Sequence, residues 1–153
     1  MRFDHLGLVV KDLRKGRRGL RALVAPDCWS AEFTDPLNGV ICQFGQDHSG
    51  IVFELLEPLG PNSPVAAALA ERRAILNHVA YLVDDLQASG QLLLDQGCAQ
   101  TSHPKPAVAY GGRLIQFFVT PVNFIVELVE APGHMHKYLP VPNDPTQQRN
   151  APT

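Results

Sequence analysis

Two histidines and two glutamates recur in this chain at one spacing. His5 stands in DHLGLVVKDL (4–13) and His78 in NHVAYLVDDL (77–86), two decapeptides that nearly repeat at an offset of 73 residues. The same offset carries Glu54, in IVFELLEP, onto Glu127, in FIVELVEAP. Each half of the chain therefore holds one imidazole and one carboxylate, 49 residues apart in both. Two neutral imidazoles and two carboxylates form a donor set for one divalent cation, with cobalt, nickel, manganese, zinc and magnesium all compatible. They leave coordination positions open for water or substrate. A lone histidine on a strand is more often a hydrogen-bonded core residue. The matched pairs at a single offset are what set these four apart. His48 falls in a turn, His103 precedes Pro104, and His134 and His136 lie near the C-terminus, where composition reads as a loose tail.

The elements that must carry the four residues follow from periodicity. Phe3 to Val10 alternates as a strand, with Phe3, His5, Gly7 and Val9 on one face and Leu6, Leu8 and Val10 on the greasier, helix-packed face. Asp12 caps a helix that ends before Pro26. Strands near Trp29–Thr34 and Val40–Phe44 flank the turn DPLNG, and Ile51–Glu57 completes a βαβββ order. Ser63-Pro64 starts a linking helix over 65–73. The second half repeats the order, with a strand at 76–83, a helix at 86–96 and a short strand near 98–102. Strands at 113–119 and 124–130 close it, with Ala109-Tyr110-Gly111-Gly112 as a flexible loop. By parity Val52, Glu54 and Leu56 share a face, as do Ile125, Glu127 and Val129, while Glu57 and Glu130 fall opposite and face solvent. If both modules turn their helices outward, all four candidate ligands point into the concave side of one curved sheet. The expected division is one domain over residues 1–131, with module one at 1–58, a linking segment at 59–74 and module two at 75–131. A proline-rich tail, 132–153, is expected to be extended or disordered.

Composition narrows the partners. The formal charge is −2, and the densest basic run, RKGRR (14–18), lies on the first helix and reads as a solvated face, so nucleic acid is not an expected partner. No apolar run approaches the ~20 residues that cross a bilayer, and the N-terminus lacks a signal-peptide pattern. Cys28, Cys42 and Cys98 form no CxxC and read as three reduced thiols of a cytoplasmic protein.

Together, ELLEPLGPNSPVAAALAERRAILNHVAYLVDDL (54–86), GGRLIQFF and IVELVE resemble the vicinal oxygen chelate superfamily, and within it the methylmalonyl-CoA epimerases, over residues 3 to 131. The resemblance implies an α+β fold of two tandem βαβββ modules, forming an open, eight-stranded, barrel-like sheet around a metal-binding cleft. It places His5, Glu54, His78 and Glu127 on the family's metal-ligand positions. It further implies an isomerase or epimerase that removes a proton beside the carbonyl of an acyl-CoA or similar dicarbonyl substrate, with Glu127 or Glu54 as base and a homodimer as the expected assembly. The alternatives are a glyoxalase-type lyase and a non-catalytic small-molecule-binding or resistance protein of the same fold. Two departures stand out. Asn77 occupies a place where a His-His pair is typical, and Leu37 sits where the epimerases carry a glutamate. With one base missing, proton exchange is expected to outpace inversion, and Leu37→Glu is expected to restore inversion.

Overall fold

In a computed structural model, residues 1–70 and 76–138 are described. The elements run β1 (Arg2–Val9), α1 (Leu13–Leu20), β2 (Phe33–Asp35), β3 (Val40–Gln46), β4 (Val52–Pro58), α2 (Ala66–Ala70) and β5 (Leu76–Leu82). They continue with α3 (Leu86–Asp95), β6 (Ala99–Gln100), β7 (Lys105–Ala107), a 3₁₀ turn (Val108–Tyr110), β8 (Arg113–Val119) and β9 (Ile125–Val129). One mixed sheet has the order β2-β3-β4-β1-β5-β9-β8-β6, and β7 pairs with β8 as well. β6 and β7 meet different stretches of β8, Val119–Phe118 and Ile115–Arg113, so they occupy one strand position between them. The sheet is thus an open half-barrel of eight strand positions, four from each half of the chain.

The two halves match in register as well as in order. β1 runs parallel to β4 with Gly7 opposite Glu54, and β5 runs parallel to β9 with Ala80 opposite Glu127. These are the same pairings displaced by 73 residues. β1 and β5 join the halves as an antiparallel pair at the middle of the sheet.

Both long helices begin in the same way. Asp12 accepts from the Lys15 amide at 2.7 Å and Asp85 from the Ala88 amide at 2.8 Å. A second carboxylate joins each cap: Glu57 accepts from the Leu13 amide at 2.8 Å and Glu130 from the Leu86 amide at 3.1 Å. The parity that turns these two glutamates away from the cleft does not leave them in water, because the helix N-termini supply free N–H groups beside them.

Helix α1 covers Leu13, Val24, Trp29 and Leu55, and α3 covers Val83, Phe118, Val126 and Leu128. Gly16 of α1 is a close-packing residue, since a Cβ there would stand 2.8 Å from Leu55 Cδ1. The third cluster lines the concave side and includes Val9, Val40, Phe44, Leu56, Leu82 and Val129.

Several elements differ from their sequence-based expectation. The stretch from Trp29 pairs only through an isolated Trp29–Gly45 bridge before β2 begins at Phe33. The linking helix is described over Ala66–Ala70, and the rest of its expected span falls at 71–73, outside the described residues. Lys105–Ala107 is a strand despite Pro106, on the outer edge of the sheet where proline is tolerated. Residues 139–153 of the expected tail lie outside the described part of the chain.

Candidate metal centre

His5 and His78 reach the cleft through two β-bulges. In the β1–β5 ladder Phe3 opposes Tyr81 and His5 opposes Ala80, so Asp4 is an extra residue. Gly7 opposes His78 and Leu8 opposes Leu76, so Asn77 is the extra residue on the other strand. A bulge redirects the side chains around it. Here Phe3 changes face and meets the edge of Tyr81 at 6.3 Å, so the uniform alternation expected for 3–10 breaks at Asp4. The bulged residues then turn to their neighbours: Asp4 Oδ2 accepts from His5 Nδ1 at 2.9 Å, and Asn77 Oδ1 accepts from His78 Nδ1 at 3.0 Å. Occupying Nδ1 fixes the tautomer and leaves both Nε2 atoms facing the cleft.

Small residues make the room. A Cβ on Gly7 would lie 2.2 Å from His78 Cε1, so any side chain there would displace the imidazole. Phe44 lies edge-on to His5 with ring centroids 5.2 Å apart, and Phe117, 73 residues on, does the same to His78 at 5.5 Å.

The two imidazoles and two carboxylates converge. His5 Nε2 lies 3.2 Å from Glu54 Oε2 and 3.4 Å from Glu127 Oε2. His78 Nε2 lies 3.3 Å and 3.1 Å from the same two oxygens, and the two Nε2 atoms are 3.0 Å apart. All four residues are buried. Donors held ~2.0–2.2 Å from one ion stand about 2.8–3.6 Å apart as neighbours in octahedral or tetrahedral sets. The observed separations fall in that window, so the quartet fits a single divalent cation by geometry as well as by donor type.

Burial alone would push the carboxyls up and the imidazoles down, and mutual attraction reverses each shift. Glu54 is held well below the usual carboxylate range by His5 and His78, and Glu127 is lowered by the same pair, His78 foremost. His5 is raised well above an ordinary imidazole by Glu54, Asp4 and Glu127, and His78 is raised by Glu127 and Glu54. Attraction between the imidazoles and the carboxylates thus opposes the cost of burying them.

Glu54, His78 and Glu127 line a cavity of about 390 Å³, and His5, fully buried, meets them from beneath its surface. Its buried lining includes Val40, Cys42, Leu56, Val65, Ala107 and Ile115, while exposed Thr101, His103 and Lys105 form a polar rim. Burial and the Glu54 charge raise the Cys42 thiol well above its ordinary value, which keeps it a neutral wall residue. Among the described residues, the acids lining the cavity are Asp35, Glu54 and Glu127. Asp35 is already engaged: it accepts from the Asn38 amide, the Asn38 side chain and the Val108 amide, each at 3.0 Å. Leu37 does not face this cavity. It is 58% exposed and borders a shallow outer groove with Pro36, Pro106 and Val108.

Periodicity missed three residues of the site. Tyr110, expected in a flexible loop, lies at the end of the 3₁₀ turn, buried, with its hydroxyl donating to Asp4 Oδ2 at 2.6 Å. His136, expected in a loose tail, donates from Nε2 to the same oxygen at 3.1 Å. Asp4 itself carried no pattern. Burial raises its carboxyl, and the hydrogen bonds from His136 and His5 pull it below the carboxylate range. The aromatic walls, by contrast, were traceable: the offset of 73 maps Gln43-Phe44 onto Gln116-Phe117.

Residues 4–117 match the model of the glyoxalase/bleomycin resistance protein/dioxygenase superfamily. The chain belongs to that superfamily. A curated relative, the ethylmalonyl-CoA/methylmalonyl-CoA epimerase of Cereibacter sphaeroides, is 28% identical over 130 residues, covering 84% of this chain and 95% of the relative. The solved structure of hypothetical protein BH1468 from Bacillus halodurans superposes with a TM-score of 0.72 at 22% identity, covering 89% of this chain and 98% of that one. A variant methylmalonyl-CoA epimerase of Streptomyces coelicolor, in complex with 2-nitronate-propionyl-CoA, superposes with a TM-score of 0.68 at 23% identity, covering 90% and 98%. Among the described residues of this superfamily member, no helix is long and apolar enough to cross a membrane, and all three cysteines are free.

Proposed function

We propose that the protein is a metal-dependent isomerase or epimerase that moves a proton beside the carbonyl of an acyl-CoA or similar 1,3-dicarbonyl compound. The observation that carries this reading is the buried convergence of His5, Glu54, His78 and Glu127, with Nε2 and Oε2 atoms 3.0–3.4 Å apart, three of the four lining a substrate-sized cavity. The epimerase relative and the acyl-CoA analogue held by the Streptomyces neighbour support the substrate class.

His5, Glu54, His78 and Glu127 would hold the ion. When bound, a divalent cation supplies the positive charge that stabilises negative charge developing on a carbonyl oxygen. The chain supplies the rest. Glu127 or Glu54 takes the α-proton as base, while the apolar wall excludes water and strengthens the electrostatics. Thr101, His103 and Lys105 at the rim would meet the polar end of a long substrate. Inversion needs a proton returned to the opposite face. With Asp35 bound to three N–H groups and Leu37 turned to the outer groove, no free carboxylate stands there among the described residues. That favours chemistry with a single base, and it keeps a glyoxalase-type lyase as the second reading.

The test is deuterium incorporation into methylmalonyl-CoA in heavy water by the metal-reconstituted protein. Exchange at the α-carbon faster than inversion, abolished in Glu127→Gln or Glu54→Gln, is expected. Inactivity toward acyl-CoA thioesters together with turnover of a hemithioacetal would move the assignment to the lyase. Ligand retention with no exchange under any metal would make it a binding protein.

A further inference from the structure

We infer that His136, together with Tyr110, is a positioning residue of the metal centre, acting through Asp4 on His5. The inference rests on the reading of the quartet as a metal site. Three donors meet one atom, Asp4 Oδ2: His5 Nδ1 at 2.9 Å, the Tyr110 hydroxyl at 2.6 Å and His136 Nε2 at 3.1 Å. The carboxylate is 7% exposed, so its orientation is set by these partners and little by water. It is the orientation of this oxygen that holds His5 Nδ1 and aims His5 Nε2 at the cleft.

The segment that brings His136 there is fastened independently. Arg2 Nη2, on β1 itself, donates to the carbonyls of Pro132 and His134 at 3.1 Å each. The His136 ring packs against Phe44 with centroids 4.4 Å apart, and His134 packs on Tyr110 at 4.6 Å. Phe44 is also the residue whose ring lies edge-on to His5 at 5.2 Å. The C-terminal segment thus touches the His5 side of the centre by hydrogen bond and by packing.

The two halves of the duplication diverge at this point. The residue equivalent to Asp4 is Asn77, a neutral amide whose side-chain oxygen, among the described residues, accepts from His78 alone. One imidazole is therefore held by a carboxylate with two further donors, the other by an amide. Groups that orient a ligating histidine commonly alter metal affinity by 10–100-fold when lost, so the His5 side should depend on the C-terminal segment and the His78 side should not.

The experiment uses the full-length, metal-stripped chain, titrated with zinc or cobalt(II) in competition with a chelator, alongside thermal unfolding of the apo forms. His78→Ala first establishes that the ion counted is the one at the quartet. Against that baseline, His136→Ala and Tyr110→Phe should each weaken metal binding about tenfold, with apo melting temperatures close to the parent. His136→Gln, which keeps an N–H donor, should recover most of the loss. Unchanged affinity in His136→Ala, or a loss that glutamine does not recover, overturns the positioning role while leaving the metal centre standing. A parent chain that binds no ion at the quartet overturns both.

Discussion

At the scale of single residues, the proposed metal centre sets protons and a divalent ion in competition for the same imidazoles. Metal binding requires both Nε2 atoms unprotonated, and His5 and His78 are raised above the ordinary imidazole value of ~6.5. Affinity for a divalent ion should therefore keep climbing above pH ~6.5 and not level off there, which a titration series in non-coordinating buffers will read. Apo stability should run the other way. A raised imidazole contributes fully below its unfolded value and loses that contribution as pH rises through its folded value. The lowered carboxyls of Glu54 and Glu127 contribute above their unfolded value of ~4.3 and lose it as pH falls. The apo protein should thus be most stable between about pH 4.5 and 6.5 as far as these groups are concerned, and added metal should stabilise it most at higher pH. Gly7→Ala is a second residue-scale test. Its methyl would overlap His78, so it should destabilise the chain by roughly 1–3 kcal/mol and weaken metal binding in the same protein.

At the scale of elements, the faces of the strands separate stability from site chemistry. Leu55 is fully buried under α1 on the convex side, and Leu55→Ala should cost about 2–5 kcal/mol while leaving metal affinity in the surviving folded fraction intact. Chemical denaturation paired with metal titration checks both halves of that statement. Strand parity was legible for Glu54 and Glu127, whose strands alternate without interruption, and for His78, because the bulge at Asn77 precedes a regular alternation from His78 to Leu82. It was not legible at Phe3, since a bulge adds one residue without any compositional trace, and the one at Asp4 reverses parity in the middle of an otherwise regular pattern. Glu57 and Glu130 were misread as solvated for a related reason. Alternation tells which side a residue takes, but not that a helix begins there with unpaired amides.

At the scale of the whole molecule, duplication explains both what could be read and what could not. A spacing of 73 residues exposes every feature present in both halves, including the His/Glu pairs, the two aspartate caps and the order of elements. It is blind to features that break the symmetry. Tyr110, Asp35 and the segment carrying His134 and His136 have no counterpart with the same role in the other half, and glycine or proline neighbours disguise them as loop or tail. One of these asymmetric features ties the ends of the half-barrel together. Asp35 of β2 accepts from the Val108 amide, and Asn38 donates to the Pro106 carbonyl at 2.9 Å. Asp35→Ala should cost about 1–3 kcal/mol through the N–H groups it leaves unpaired and widen the cleft, visible as faster amide exchange at Val108. Because position 37 faces the outer groove, Leu37→Glu should leave the ratio of exchange to inversion unchanged, in contrast to the sequence-based expectation.

The central claim is that one divalent ion is held by the four residues that the duplication pairs. The most direct measurement is the stoichiometry of metal bound by chelator-stripped, tag-free protein, taken for the parent chain and for His5→Ala, Glu54→Ala, His78→Ala and Glu127→Ala. One equivalent per chain, with tight binding lost in each of the four variants, is the expected result. No bound ion in the parent, or one equivalent retained unchanged in all four variants, would contradict the claim.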